Sequence, residues 1–170
     1  MRAVSALHLA TVRADSPRAT RDAGWQLAPL LEPGDIVLIE GDLGAGKTTF
    51  VQGVAAGLGV TGPVSSPTFT LMRVLECEGG GAVRRLLHAD LYRLDHLQQV
   101  VDLGLLELVD EDTVAAVEWG DAGAKVLGKE VLEVLIESGA DDTERVITIS
   151  GTDSWSARAE AVSAVFGSVA

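Results

Sequence analysis

Residues 41–48 read Gly-Asp-Leu-Gly-Ala-Gly-Lys-Thr. This is G-x-x-x-x-G-K-[ST], a phosphate-binding loop, with both glycines, the lysine and the closing hydroxyl in place. At average glycine usage such a run arises by chance in well under about one in a hundred chains of this length. Its neighbours also suit it. Asp35-Ile-Val-Leu-Ile-Glu40 is a short apolar run of β-branched character and strand length. Within Thr49–Leu58, residues Phe50, Val51, Val54, Ala55 and Leu58 recur at helical spacing. The expectation is a buried strand, the loop and a helix in succession. Gly41, Gly44 and Gly46 let the backbone turn and bring its N–H groups near phosphate oxygens. The helix start adds a favourable dipole for an anion. Lys47 supplies a cation for the β- and γ-phosphates, and Thr48 a hydroxyl for magnesium. The expected nucleotide contacts are therefore Gly41, Gly44, Ala45, Gly46, Lys47, Thr48 and Thr49.

The chain has 170 residues, 47% of them hydrophobic, which suits one domain spanning 1–170 with a substantial core. Its net charge is −12, from 25 acidic and 13 basic residues. Such a surface repels nucleic-acid backbones, whose binding relies on Lys and Arg. The lone cysteine, Cys77, has no intrachain partner and reads as a small, at least half-buried apolar residue. Neither a signal peptide nor a membrane-spanning run is evident, so a soluble cytoplasmic protein is expected. The chain contains no asparagine, which removes the Asn-Lys-x-Asp guanine-reading motif and tilts base preference away from guanine.

Val4–Leu9 reads as a first strand. Ser16-Pro17 reads as a cap and first helical residue, with the helix running to about Leu31. Glu32–Asp35 is a turn. Beyond the loop and its helix, Val60–Thr68 is a connector whose Ser65, Ser66 and Thr68 return toward the phosphates, or else an ordinary polar loop. Phe69–Cys77 and Ala82–Asp90 flank a glycine turn at 78–81 and read as an antiparallel hairpin. Asp95 caps a short helix through Val101, Gly104 breaks it, and Leu105–Val109 adds a helical turn or two. Thr113–Glu118 is another strand, and Gly120–Leu127 a short helix. Val131–Glu137 alternates, with Leu132, Val134 and Ile136 on one face. It pairs with Arg145–Ile149 across a turn. Trp155–Phe166 closes the chain as an amphipathic helix with Ala161, Val162, Val165 and Phe166 inward. The fold class is α/β: a single phosphate-loop domain with a mixed, partly antiparallel sheet flanked by helices.

Two acids, Asp90 and Glu118, each stand at a strand end. In a nucleoside triphosphatase such positions hold a metal or orient a water. Spacing alone leaves open which acid does which; one direct carboxylate suffices for magnesium, which keeps several waters. His88 lies on the same strand face as Asp90, close to the site. His8 and His96 read as surface or packing residues, and no His/Cys cluster has zinc spacing.

Together, GDLGAGKTTF (41–50), SSPTFTL (65–71), HADLYRL (88–94) and VEWGD (117–121) resemble the TsaE (formerly YjeE) family over nearly the whole chain. That is the ATPase component of bacterial tRNA threonylcarbamoyladenosine biosynthesis. The resemblance implies ATP/ADP and magnesium as cofactors. Thr48 and Glu118 would be metal ligands, and Asp90 a required acid near the γ-phosphate. Thr68 would sit in a switch-like loop and Trp119 beside the nucleotide. The implied partners are TsaD and TsaB, with tRNA reached only through them. The catalytic set expected is Lys47, Asp90 and Glu118. No arginine finger is evident, Arg93 being the nearest candidate by sequence, so slow hydrolysis alone and acceleration by a partner are expected. Two other readings share the loop: a small-molecule kinase, for which Arg84, Arg85 and Arg93 are available, and a nucleotide-dependent adaptor that does not hydrolyse.

Overall fold

A computed structural model describes residues 6–67, 70–92, 94, 97–119 and 130–167. Its elements in chain order are β1 (Leu7–Ala14), α1 (Pro17–Leu27), β2 (Ile36–Glu40), α2 (Lys47–Gly57), β3 (Met72–Glu76), β4 (Arg85–Asp90), α3 (Leu97–Asp102), α4 (Leu105–Leu108), β5 (Thr113–Trp119), β6 (Val131–Ser138), β7 (Arg145–Gly151) and α5 (Ala159–Phe166). The seven strands form one sheet in the order β1-β7-β6-β2-β5-β4-β3. Strand β2 runs parallel to both β5 and β6, and β4 parallel to β5. The pairs β3/β4, β6/β7 and β1/β7 are antiparallel. The sheet is thus mixed, with both hairpins present as expected.

Alternation along the strands splits the core in two. Val37 and Ile39 of β2, with Val114 and Ala116 of β5, face α1 and α2 and meet Leu27, Phe50, Val51 and Val54. Ile36, Leu38, Ala115 and Val117 face the other way, against Val100 and Leu105 of the short helices α3 and α4.

Boundaries differ from the sequence reading in several places. The first strand runs over Leu7–Ala14, past the Leu9 end expected from sequence, because it zips along β7 from Leu7↔Gly151 to Ala14↔Arg145; Val4 and Ser5 lie outside the described residues. A bulge between His8 and Ala10 breaks its alternation, which hides it in the sequence. Of the strand expected over Phe69–Cys77, Met72–Glu76 forms, Cys77 makes an isolated bridge to Val60, and Phe69 lies outside the described residues. Residues 153–158 form a 3-10 turn, so the last α-helix begins only at Ala159. Val162 is buried and Phe166 packs on the core, but Ala161 and Val165 are exposed, since this short helix touches the body along one narrow line. The expected cap holds: Ser16 accepts a hydrogen bond from the Ala19 N–H at 3.2 Å. The helix expected over Gly120–Leu127, the Asp95 cap expected for the helix through Val101, and His96 lie outside the described residues.

Two features secure the strand that leads into the loop. At its base, Arg158 makes a two-pronged ion pair with Asp35, 2.6 and 2.8 Å, while its guanidinium stacks 3.6 Å from the Trp155 ring. Behind it, α1 and α2 approach to backbone contact. A Cβ on Gly53 would lie 1.9 Å from the Arg21 carbonyl oxygen, and one on Gly24 2.1 Å from that of Phe50.

This contact yields a prediction whose sign runs against helix propensity. Alanine in a helix interior is favoured over glycine by about 1 kcal/mol. Gly53→Ala is nevertheless expected to lose about 1–3 kcal/mol, because the added methyl meets backbone and forces the helices apart. Urea unfolding measures it; a variant as stable as the parent refutes close packing as the reason for glycine there.

Candidate functional site

The parallel strands β2, β4 and β5 end at one edge of the sheet, and the site is built on that edge. Asp90 stands in register with Glu118, and Glu118 with Ile39, one residue before the end of β2. The loop after β2 crosses this edge and enters α2 at Lys47. Gly46, at the helix N-cap, has φ +105°, a conformation that side chains disfavour. Gly41 is needed for space: a Cβ there would lie 2.6 Å from the Ile136 carbonyl oxygen of β6.

Lys47 is buried and folds back on the loop, donating from Nζ to the Gly41 and Asp42 carbonyl oxygens at 2.6 and 2.9 Å. The Tyr92 ring stands 4.9 Å from the same nitrogen. Thr48 donates its hydroxyl to the Glu118 carboxylate, 2.8 and 2.9 Å from the two oxygens. Nε2 of His88 lies 2.7 Å from Oε1 of Glu118. Asp90 accepts from the Ser66 hydroxyl at 2.5 Å and from the Tyr92 backbone N–H at 3.2 Å.

A cavity of about 440 Å³ opens among these groups. Its walls include Gly44, Gly46, Lys47, Thr48, Thr49, Asp90 and Glu118, so most of the site residues expected from sequence converge on one space. Gly41 and Ala45 lie on the far side of the loop and line neighbouring hollows. Ser66 brings the 60–67 connector to the cavity, while Ser65 is exposed. Thr68 and Arg93 lie outside the described residues. Trp119 is placed otherwise than expected. It is buried on the opposite face of the sheet from Glu118, packed with Leu38 and Val117, because successive side chains of a strand point to opposite faces.

One residue of the loop's support went unnoticed in the sequence. Arg145, the first residue of β7, donates from Nε to the Ala45 carbonyl at 2.8 Å and from Nη2 to that of Gly44 at 3.4 Å. The same guanidinium holds the carbonyls of Asp142 and Glu144, at 2.8 and 2.9 Å. It ties the turn between β6 and β7 to the phosphate loop. Nothing local marks it, since the two segments lie far apart in the chain.

Chemically, the loop amides, the α2 N-terminus and Lys47 make an anion site. Thr48 and Glu118 supply hard oxygen donors beside it. That set fits a magnesium ion, which asks for few protein ligands and keeps its waters. Among the described residues no group of three or more His, Cys, Asp or Glu could cage a metal. Cys77 offers no nucleophile: burial, helped by the nearby Glu76 charge, pushes its thiol up to about 11.

The model of the family "Threonylcarbamoyl adenosine biosynthesis protein TsaE" matches residues 14–147. The chain is 42% identical to the tRNA threonylcarbamoyladenosine biosynthesis protein TsaE of Streptomyces coelicolor, over 77% of this chain and 89% of that one. It is 41% identical to the Bacillus subtilis protein of the same name, over 81% and 83%. Among solved structures, Bacillus subtilis YdiB superposes with a TM-score of 0.71 and 32% identity, covering 96% of this chain and 98% of that one.

The Arg145 contacts predict a looser loop when they are removed. Hydrogen bonds from a charged donor contribute about 1.5–3 kcal/mol each. Arg145→Gln is therefore expected to speed amide hydrogen exchange across residues 41–46 by about tenfold or more, with less change in the β2 and β5 amides. Equal exchange in the loop would show that the arginine does not brace it.

Proposed function

This chain belongs to the TsaE family of tRNA threonylcarbamoyladenosine biosynthesis, and on that premise we propose that it is the magnesium-dependent, ATP-binding and ATP-hydrolysing subunit of that pathway, acting on a TsaD–TsaB complex in the cytoplasm. The observation that carries the proposal is the hydrogen bond between Thr48, at the start of the loop's helix, and the buried Glu118 carboxylate. It joins the phosphate loop to a strand-end acid in the one place where a nucleotide-bound cation needs both.

The residues have separable roles in this reading. The amides of the loop bind the phosphates. Lys47, held on the Gly41 and Asp42 carbonyls, turns its ammonium to the β- and γ-phosphates. Thr48 and Glu118 would hold magnesium, which would supply charge neutralisation on the phosphates. Asp90 has one oxygen on Ser66 and the other on the Tyr92 N–H, so its carboxylate is held to orient a water.

Among the described residues lining the cavity there is no arginine. Lys47 is the only cation among those described lining residues, and an arginine supplied in trans is the term that most strongly accelerates this class of reaction. Slow hydrolysis alone and faster hydrolysis with partners follow. The net charge of −12 supports leaving contact with tRNA to those partners. No helix among the described residues is long and apolar enough to cross a membrane.

The test is phosphate release from ATP by the protein alone and with purified TsaD and TsaB. We expect slow turnover alone, a rise of about tenfold or more with the partners, and loss of both in Lys47→Ala and Glu118→Ala. Turnover that ignores the partners contradicts the partner-activated reading. ATP binding with no phosphate release in any mixture contradicts hydrolysis and leaves a nucleotide-dependent adaptor.

A further inference from the structure

His88 is fully buried and is absent from the cavity wall, so it cannot touch a ligand there. Its Nε2 meets Oε1 of Glu118 at 2.7 Å, but its Nδ1 is buried without a hydrogen-bond partner. A ring that merely filled the core would be better replaced by an aliphatic side chain such as that of Leu86 on the same strand face, since a bare polar atom in a core is a standing cost. The one contact that accounts for an imidazole is the one to Glu118. Only the tautomer with its proton on Nε2 donates to a carboxylate and leaves Nδ1 as a lone pair rather than an unmet N–H.

Glu118 needs that donor. Glu118 is 2% exposed, and among the described residues its carboxylate has two side-chain donors, Thr48 and His88. Thr48 lies on the cavity wall, open to a ligand. His88 lies behind, where no ligand reaches. We propose that His88 is a positioning residue: its Nε2–H holds the Glu118 carboxylate turned toward Thr48, and so sets how strongly magnesium tightens nucleotide binding. The inference rests on the nucleotide reading above and adds to it a residue that acts only through Glu118, in the manner of partners that orient metal ligands from behind.

The experiment titrates the full chain with a fluorescent ATP analogue, in excess magnesium and in EDTA, and reads the ratio of the two dissociation constants. His88→Gln places an amide donor near Nε2; His88→Phe keeps the bulk and removes the donor. Wild type and the Gln variant are expected to share one ratio, and the Phe variant to lose about tenfold or more of it. A Phe variant with the wild-type ratio, or a Gln variant that loses as much as Phe, overturns the proposal. Should the Phe variant fail to melt cooperatively, His88→Asn takes its place, its shorter amide falling short of Oε1; an Asn variant with the full ratio overturns the proposal equally. Wild-type protein that binds no nucleotide overturns the functional reading itself, an outcome separate from any seen in the variants.

Discussion

Parallel pairing of β4, β5 and β2 is the constraint on which the site depends. Parallel strands share a direction, so their carboxyl ends meet at one edge, and ligands of open α/β sheets bind outside such ends. Register does the rest: Asp90 beside Glu118, and Glu118 beside the last residues of β2, bring two acids to the mouth of a loop that comes from elsewhere in the chain. A one-residue slip of β5 would turn Glu118 into the far core and Trp119 into the cavity.

The supports of this edge come from all around it. Backbone contact at Gly24 and Gly53 places α1 against α2, and so aims the helix start at the sheet edge. Arg145 braces the outer side of the loop. The Arg158–Asp35 pair holds the lower end of β2. Asp110, at the foot of β5, has its carboxyl drawn down to about 2, first by the Thr113 hydroxyl, then by the Asp112 backbone N–H, with the Arg85 charge adding to them. These groups touch no ligand, but they hold the elements that do.

Much of this was legible from sequence, for physical reasons that differ by element. The phosphate loop is readable because anion binding by backbone demands glycine at set positions, and both flanks carry their own periodicity. The hairpins are readable from glycine and acidic turns between alternating runs. Asp90 and Glu118 are readable because each ends an apolar strand. What depends on distant partners was not readable. Pairing of β1 with β7 needs a bulge and a neighbour from the far end of the chain. Arg145 looks like any strand residue until the turn before it folds onto the loop. The glycines of α1 and α2 look like defects in helices until the two are packed. Trp119 is a different case: the alternation that puts Glu118 on the cavity side also puts its neighbour on the other, and that signal was present in the sequence.

Strand order has a consequence for the way this protein is made. The loop-bearing strand β2 emerges early in synthesis, but both of its neighbours, β5 and β6, come from the second half of the chain. The first strand must wait longer still, for β7. On the ribosome, the segment from β1 to α2 therefore has apolar faces and no sheet to join. Contacts so distant in sequence slow folding. A nascent chain of this kind stays exposed to aggregation and to chaperones until β7 has been translated.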